Sequence, residues 1–213
     1  MAIDTKKFAD GRVISGFSHP VVALYNAPGG PGTYSEGRIA ARGVSVDVNI
    51  NTADSNNFYA DNAVAESESG IFTDGTATLG LDGMHPGVER FVLGLDAPRS
   101  VEINGKQYNL SGTGTGATPP YLGVGFIVEF KSAGQFIYVP YYLTKCKFRQ
   151  GGFAAHTRGE NIDWQSAETT IDLHRDDTPN HYWREVGDDF ATEAEAIAAL
   201  HDFLAVPAEA ANG

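Results

Sequence analysis

The segment from Gly43 to Gly83 constrains the fold more than any other part of this chain. Val44, Val46, Val48 and Ile50 alternate with Ser45, Asp47, Asn49 and Asn51. A strict period of two is the mark of a strand with one apolar and one polar face. Thr76, Thr78 and Gly80 alternate with Ala77, Leu79 and Leu81 in a second such strand. Between them lie a polar run, 51–57, the segment Phe58-Tyr59-Ala60-Asp61-Asn62, and the carboxylates Glu66 and Glu68, which share a face if that stretch is also extended. The pattern predicts sheet that presents one polar face.

The rest of the chain extends the same reading. Among 213 residues, 25 glycines and 10 prolines with 42% hydrophobic content favour a folded, turn-rich, mainly β protein. Residues 1–19 lack a sustained period and read as an N-terminal arm; 20–205 read as one domain and 206–213 as a flexible tail. Pro20–Tyr25 is a short apolar strand. Pro86, Val88, Phe91, Val92 and Leu95 have helical spacing, and Pro98 ends that helix. Asn104-Gly105 predicts a type I′ hairpin within 99–110. Strands at 122–130 and 136–143 flank a five-residue loop, 131–135; Phe126, Val128 and Phe130 share one face and Ile127 and Glu129 the other. Pro140 predicts an edge or a bulge. A last strand covers 166–174, with Ile171 and Leu173 inward. Thr192-Glu193-Ala194-Glu195 is a capping box opening a C-terminal helix that runs to Leu204.

Several functions lose support at this level. No apolar run approaches the ~18 residues of a membrane span. The opening residues MAIDTKKFADGRV hold no signal-peptide apolar region, so synthesis and folding in the cytoplasm are expected. Acidic residues outnumber basic ones 27 to 15, a formal charge of -12 that repels nucleic acid. The same charge is also what solubility alone requires. Gly112, Gly114 and Ala117 match G-x-G-x-x-A, but Thr118-Pro119-Pro120 follows where a helix N-terminus is needed. Asp172, His174 and Asp176 at alternate positions are a candidate metal face, and equally an exposed polar strand entering a turn. Cys146, the single cysteine, faces away from Lys145 and Lys147 on a strand and reads as a buried thiol. Glu66 and Glu68 alone are too little for an acid–base pair. No catalytic residue, metal site or cofactor is expected.

The order of these elements carries a resemblance. Gly43-Val44-Ser45-Val46-Asp47-Val48 is followed by Phe58-Tyr59-Ala60-Asp61-Asn62 with Glu66-Ser67. Next come Gly75-Thr76-Ala77-Thr78-Leu79-Gly80-Leu81-Asp82 and the Pro86 helix ending Leu93-Gly94. Tyr121-Leu122-Gly123-Val124-Gly125-Phe126, Lys145-Cys146-Lys147-Phe148 and Thr157-Arg158-Gly159-Glu160-Asn161-Ile162 complete the series. In that order, over residues 14–190, the chain resembles the major tail tube protein of long-tailed bacteriophages. The 111–120 segment and the C-terminal helix depart from the resemblance.

The resemblance implies a two-sheet β-sandwich or half-barrel with a flanking helix. It implies hexameric rings, stacked through arms and a long hairpin loop into a tube that conducts DNA without binding it specifically. A virion location follows, with the tape measure, tail terminator and distal tail proteins as partners and no membrane. On it, the lumen face is expected at Asp47, Asn49, Glu66, Glu68, Thr76, Thr78 and Glu129. Ring stacking is expected at Phe8, Val13, Ile14 and Phe17 of the arm and Asn57, Phe58, Tyr59, Asp61 and Asn62 of the 51–62 loop, with 111–120 a second candidate. The competing expectations are a receptor- or glycan-binding virion module with Tyr141, Tyr142, Tyr182 or Trp183 as an aromatic platform, and a metal enzyme on Asp172 and His174.

Overall fold

The computed structural model describes residues 11–26, 34–54, 56–60, 63–68, 70–152, 157 and 166–208, with backbone only for 56–60 and 63–68. Twelve strands and two helices follow one another in these residues. They are β1 (Val13–Tyr25), β2 (Tyr34–Ile39), β3 (Gly43–Thr52), β4 (Asn56–Ala60), β5 (Ala63–Glu68) and β6 (Phe72–Leu81), then α1 (Pro86–Leu93). After α1 come β7 (Arg99–Ile103), β8 (Lys106–Leu110), β9 (Leu122–Ser132), β10 (Gln135–Phe148), β11 (Ala167–His174), β12 (Arg184–Val186) and α2 (Glu193–Phe203). The fold is mainly β, as the alternation predicts.

One antiparallel sheet runs β2-β1-β9-β10-β11-β6-β3, with β12 also paired to β10. The pairing is continuous along this path, and the sheet curls on itself around a core. β1 and β3 are five places apart in it, about 24 Å if the sheet were flat. Yet the Phe17 ring stands so close to Gly43 that a Cβ there would lie 2.3 Å from Phe17 Cε1. Only a glycine permits that approach. The curl encloses a core that includes Leu79, Leu122, Phe126, Leu143, Cys146 and Leu173, and α1 adds Val92 and Leu93 to it.

A second core lies on the convex side. α2 seats Ala196, Leu200 and Leu204 against Val21, Ala23, Ile127 and Tyr142. β1 is therefore buried on both faces, Val22 in the first core and Val21 and Ala23 in the second, which is why Pro20–Tyr25 is apolar without alternation. Gly125 makes room for the helix, since a Cβ there would sit 2.6 Å from both Leu200 Cδ1 and Leu204 Cδ1. Thr192 caps α2 with its hydroxyl oxygen accepting from the Glu195 N–H at 3.4 Å, as the capping motif predicts.

Local turn chemistry explains the hairpins. Asn104 and Gly105 both have positive φ, 51° and 74°, the requirement of the type I′ turn. The loop expected over 131–135 is shorter than predicted: β9 extends to Ser132, β10 begins at Gln135, and only Ala133 and Gly134 turn the chain. Pro140 is not at an edge, since it pairs with Ile127 of β9; on its other side the register shifts by one residue between Tyr141↔Val186 and Tyr138↔Phe190, so it does mark a bulge. Its carbonyl accepts from Gly187 N–H at 2.8 Å. The missing N–H therefore faces the irregular stretch between β12 and the bridge at Phe190.

The expected 1–19 arm is shorter than drawn. Its second half belongs to β1 and is paired with β9 from Val13↔Lys131 to Ser18↔Ile127. Phe17 is half-buried against Phe126, ring centroids 5.3 Å apart, so it serves the core and not a docking arm. Phe8 lies outside the described residues.

Candidate assembly surfaces

The polar face predicted by alternation is a surface of four adjacent strands on the convex side. Asp47 pairs with Thr78 and Asn49 with Thr76 across β3 and β6. Thr170 pairs with Thr78 and Asp172 with Thr76 across β6 and β11. Lys147 of β10 then pairs with Asp172. Asn49, Thr76, Asp172 and Lys147 thus form one row across the sheet, about 14 Å wide at ordinary strand spacing. Val46 and Val48, on the opposite face, pack on the core.

The polar groups on this face bond one another in part, and Asp74 and Glu168 share the same parity along β6 and β11. Arg149 Nε and Nη2 both donate to the Asp172 carboxylate, at 2.6 to 3.0 Å, and Asn49 Nδ2 donates to Asp47 Oδ1 at 3.2 Å. At its margin Lys145 Nζ donates to both oxygens of Asp177, and this hydrogen bond holds the Asp177 carboxyl below the usual range.

Three residues of the expected set lie elsewhere. Glu129 is on the convex side but beside β1, where Ser15 Oγ donates to its Oε1 at 2.7 Å and Tyr138 is its cross-strand neighbour. Three strand steps separate β9 from β6, so Glu129 does not extend the Asp47 row. Glu66 and Glu68 belong to β5, which among the described residues pairs only with β4, in a separate two-stranded sheet. Thr170, Lys147 and Arg149 join the row instead. Thr170 reads as outward in the sequence; its neighbours depend on strand order, which no local pattern encodes.

The expected 51–62 loop is itself largely strand. β3 continues to Thr52, Ala53 N–H donates to Ile71 C=O at 2.9 Å, and the pairing resumes from Asn56↔Glu68 to Ala60↔Ala63. The described strands from Gly43 to Leu81 thus pair as an interrupted hairpin, β3 with β6 and β4 with β5. Asn57, Phe58 and Tyr59 lie on β4, and Asp61 and Asn62 fall outside the described residues.

The ends of the sheet are unequal. At β2, Gly37 N–H donates to Ala205 C=O just after α2, which covers that edge. β3 is the other terminal strand, and its apolar row emerges at Val44 and Ile50, 56% and 46% exposed. At the start of β1, Val13 and Ile14 are 68% and 67% exposed. A long terminal strand with exposed aliphatics is a pairing surface unless something blunts it.

The chemistry considered for other functions does not assemble. Among the described residues no three His, Cys, Asp or Glu side chains group as a metal site. Asp172 is engaged by Arg149, and β11 ends at His174. Asp176, expected on the same face, is buried and accepts from Thr178 Oγ1 at 2.7 Å. The Cys146 thiol is fully buried and its pKa is pushed up by burial, as the alternation of Lys145 and Lys147 predicts. Of the four aromatics expected as a platform, Tyr142 is buried under α2, Trp183 stacks on Phe72 at 5.1 Å, Tyr141 packs on the main core and Tyr182 is exposed. Among the described residues no helix is long and apolar enough to cross a membrane. No protein-family model and no curated protein matches this chain.

Proposed function

We propose that the chain is the repeating subunit of a tail tube of the long-tailed phage type. Six copies join as a ring, the rings stack, and the polar row through Asp47, Asn49, Thr76 and Thr78 lines the channel that DNA passes through. The observation that carries the reading is the hairpin from Gly43 to Leu81. Its first strand is the terminal strand of the sheet, with exposed Val44 and Ile50, and among the described residues its far half pairs only with itself. One element thus offers an edge to a neighbour in the ring and a projection to the next ring.

The polar row suits a channel for physical reasons. Hydroxyls, amides and ion pairs closed on themselves offer few unpaired cations to phosphates, and cations are what grips DNA. The ordered motifs from Gly43 to Phe148 support the same reading, and the tape measure, tail terminator and distal tail proteins are the partners it entails. Purified protein imaged by negative stain at rising concentration tests it. Rings or tubes of uniform diameter are expected; a chain that stays monomeric, or that binds glycan as a monomer, overturns it.

A further inference from the structure

Among the described residues β7 and β8 form a hairpin paired only with itself, and its two faces differ. Ser100 Oγ donates to Gln107 Oε1 at 2.8 Å and Gln107 Nε2 to Glu102 Oε2 at 3.4 Å, so one face is polar and internally bonded. The register Val101↔Tyr108 and Ile103↔Lys106, with Arg99↔Leu110, puts the apolar side chains together on the other. Ile103, Tyr108 and Leu110 are 49%, 45% and 43% exposed. An isolated two-stranded hairpin is marginal in water, and such a face needs a cover. Arg99 and Lys106 stand at its two ends, and among the described residues neither has an ion-pair partner.

The same chain carries a matching concavity. A cleft of ≈ 320 Å³ between β12 and α2 is lined by Val186, Phe190, Ala199 and Phe203 together with the carboxylates Glu185 and Asp188. Val186 is 48% exposed. Neither carboxylate has an ion-pair partner among the described residues, and burial, with Asp176 adding to it, pushes the Glu185 carboxyl up. A carboxylate in that setting gains from an incoming cation.

We infer that the β7–β8 hairpin of one copy docks its apolar face over the β12–α2 cleft of a second copy, with Arg99 and Lys106 meeting Glu185 and Asp188. Apolar side chains flanked by two cations meet a cleft lined by apolar side chains and two carboxylates, in a molecule where basic residues are the scarcer kind. Two different patches are used, so the contact is heterologous and propagates from copy to copy, closing into a ring when the rotation allows. The inference rests on the self-assembly proposed above and not on the passage of DNA.

Charge reversal and cross-linking test it on the full chain. Arg99→Glu with Lys106→Glu, and separately Glu185→Lys with Asp188→Lys, should each raise the concentration for half-assembly by about tenfold or more. All four changes in one chain should restore assembly to within about threefold of the original. No rescue, or a cleft reversal without effect on a chain that still melts cooperatively, overturns the docking. Cross-linking avoids the question of folding, because Ile103 and Val186 are exposed and Cys146 is buried. A mixture of Ile103→Cys chains and size-tagged Val186→Cys chains should give a disulfide-linked mixed dimer under mild oxidation. Dimers of Ile103→Cys chains alone in equal yield, or no cross-link, contradict it. Cross-linked pairs without rings or tubes uphold the docking and sink the tube; rings or tubes without cross-links do the reverse.

Discussion

Gly43→Val tests the curl of the sheet at the place where β1 meets β3. A Cβ at Gly43 would lie 2.3, 2.9 and 3.1 Å from Phe17 Cε1, Cδ1 and Cζ, whereas non-bonded carbons rest at about 3.5–4.0 Å. The ring cannot simply rotate away, since it packs on Phe126. Overpacking of this kind costs about 1–3 kcal/mol, and expelling a half-buried ring adds about 1 kcal/mol of lost burial. Phe17→Ala alone should cost about 2 kcal/mol, below the full Phe→Ala range because the ring is only half covered. Once the ring is gone the sign changes: Val in a strand is favoured over Gly by about 0.5–1 kcal/mol. In the Phe17→Ala background Gly43→Val should therefore be neutral or stabilising, a coupling of about 2–3 kcal/mol. Urea unfolding followed by tryptophan fluorescence at dilute, unassembled concentration measures it, with Trp183, half-buried and stacked on Phe72, as a reporter. Equal losses in both backgrounds would refute the contact and with it the curl.

Three further outcomes are expected. Leu200→Ala, at a fully buried position of α2 facing Gly125, should lower stability by about 2–4 kcal/mol in the same urea assay. The Cys146 thiol should resist a thiol reagent at pH 8 in the native protein and react fully in urea; rapid native labelling would contradict its burial. His201 has its pKa lowered by burial first and by His19 next, so below about pH 6.5 the unfolded chain binds a proton that the folded one resists. Stability should therefore fall between pH 7.5 and 5.5, and His201→Leu should flatten that fall when urea midpoints are compared.

Much of the local structure was legible in the sequence because its causes are local. The Asn104-Gly105 turn follows from two adjacent residues tolerant of positive φ, and the α2 cap from Thr192 and Glu195. Parity along β3 and β6 placed Asp47, Asn49, Thr76 and Thr78 on one face. The same parity put Glu129 with them, although strand order leaves it beside β1. Parity tells which side a residue takes; the neighbours on that side follow from pairings such as β6 with β11, which joins residues about ninety positions apart. The 51–62 region read as loop because Asn, Asp and Ser disfavour strands, yet a ladder carried up from Asn51↔Asp74 and Thr52↔Phe72 extends it past its own propensity. Val44 and Ile50 read as part of an apolar strand face and emerge exposed because the sheet ends at β3, a fact of topology with no local signature.

The most direct test of the tube is a cryo-electron microscopy map of the assembled protein. The account predicts a six-fold ring with Asp47, Asn49, Thr76 and Thr78 on the inner wall and β4–β5 reaching into the adjacent ring. A map with that row on the outer wall, or with β4–β5 free of any neighbouring copy, would contradict it.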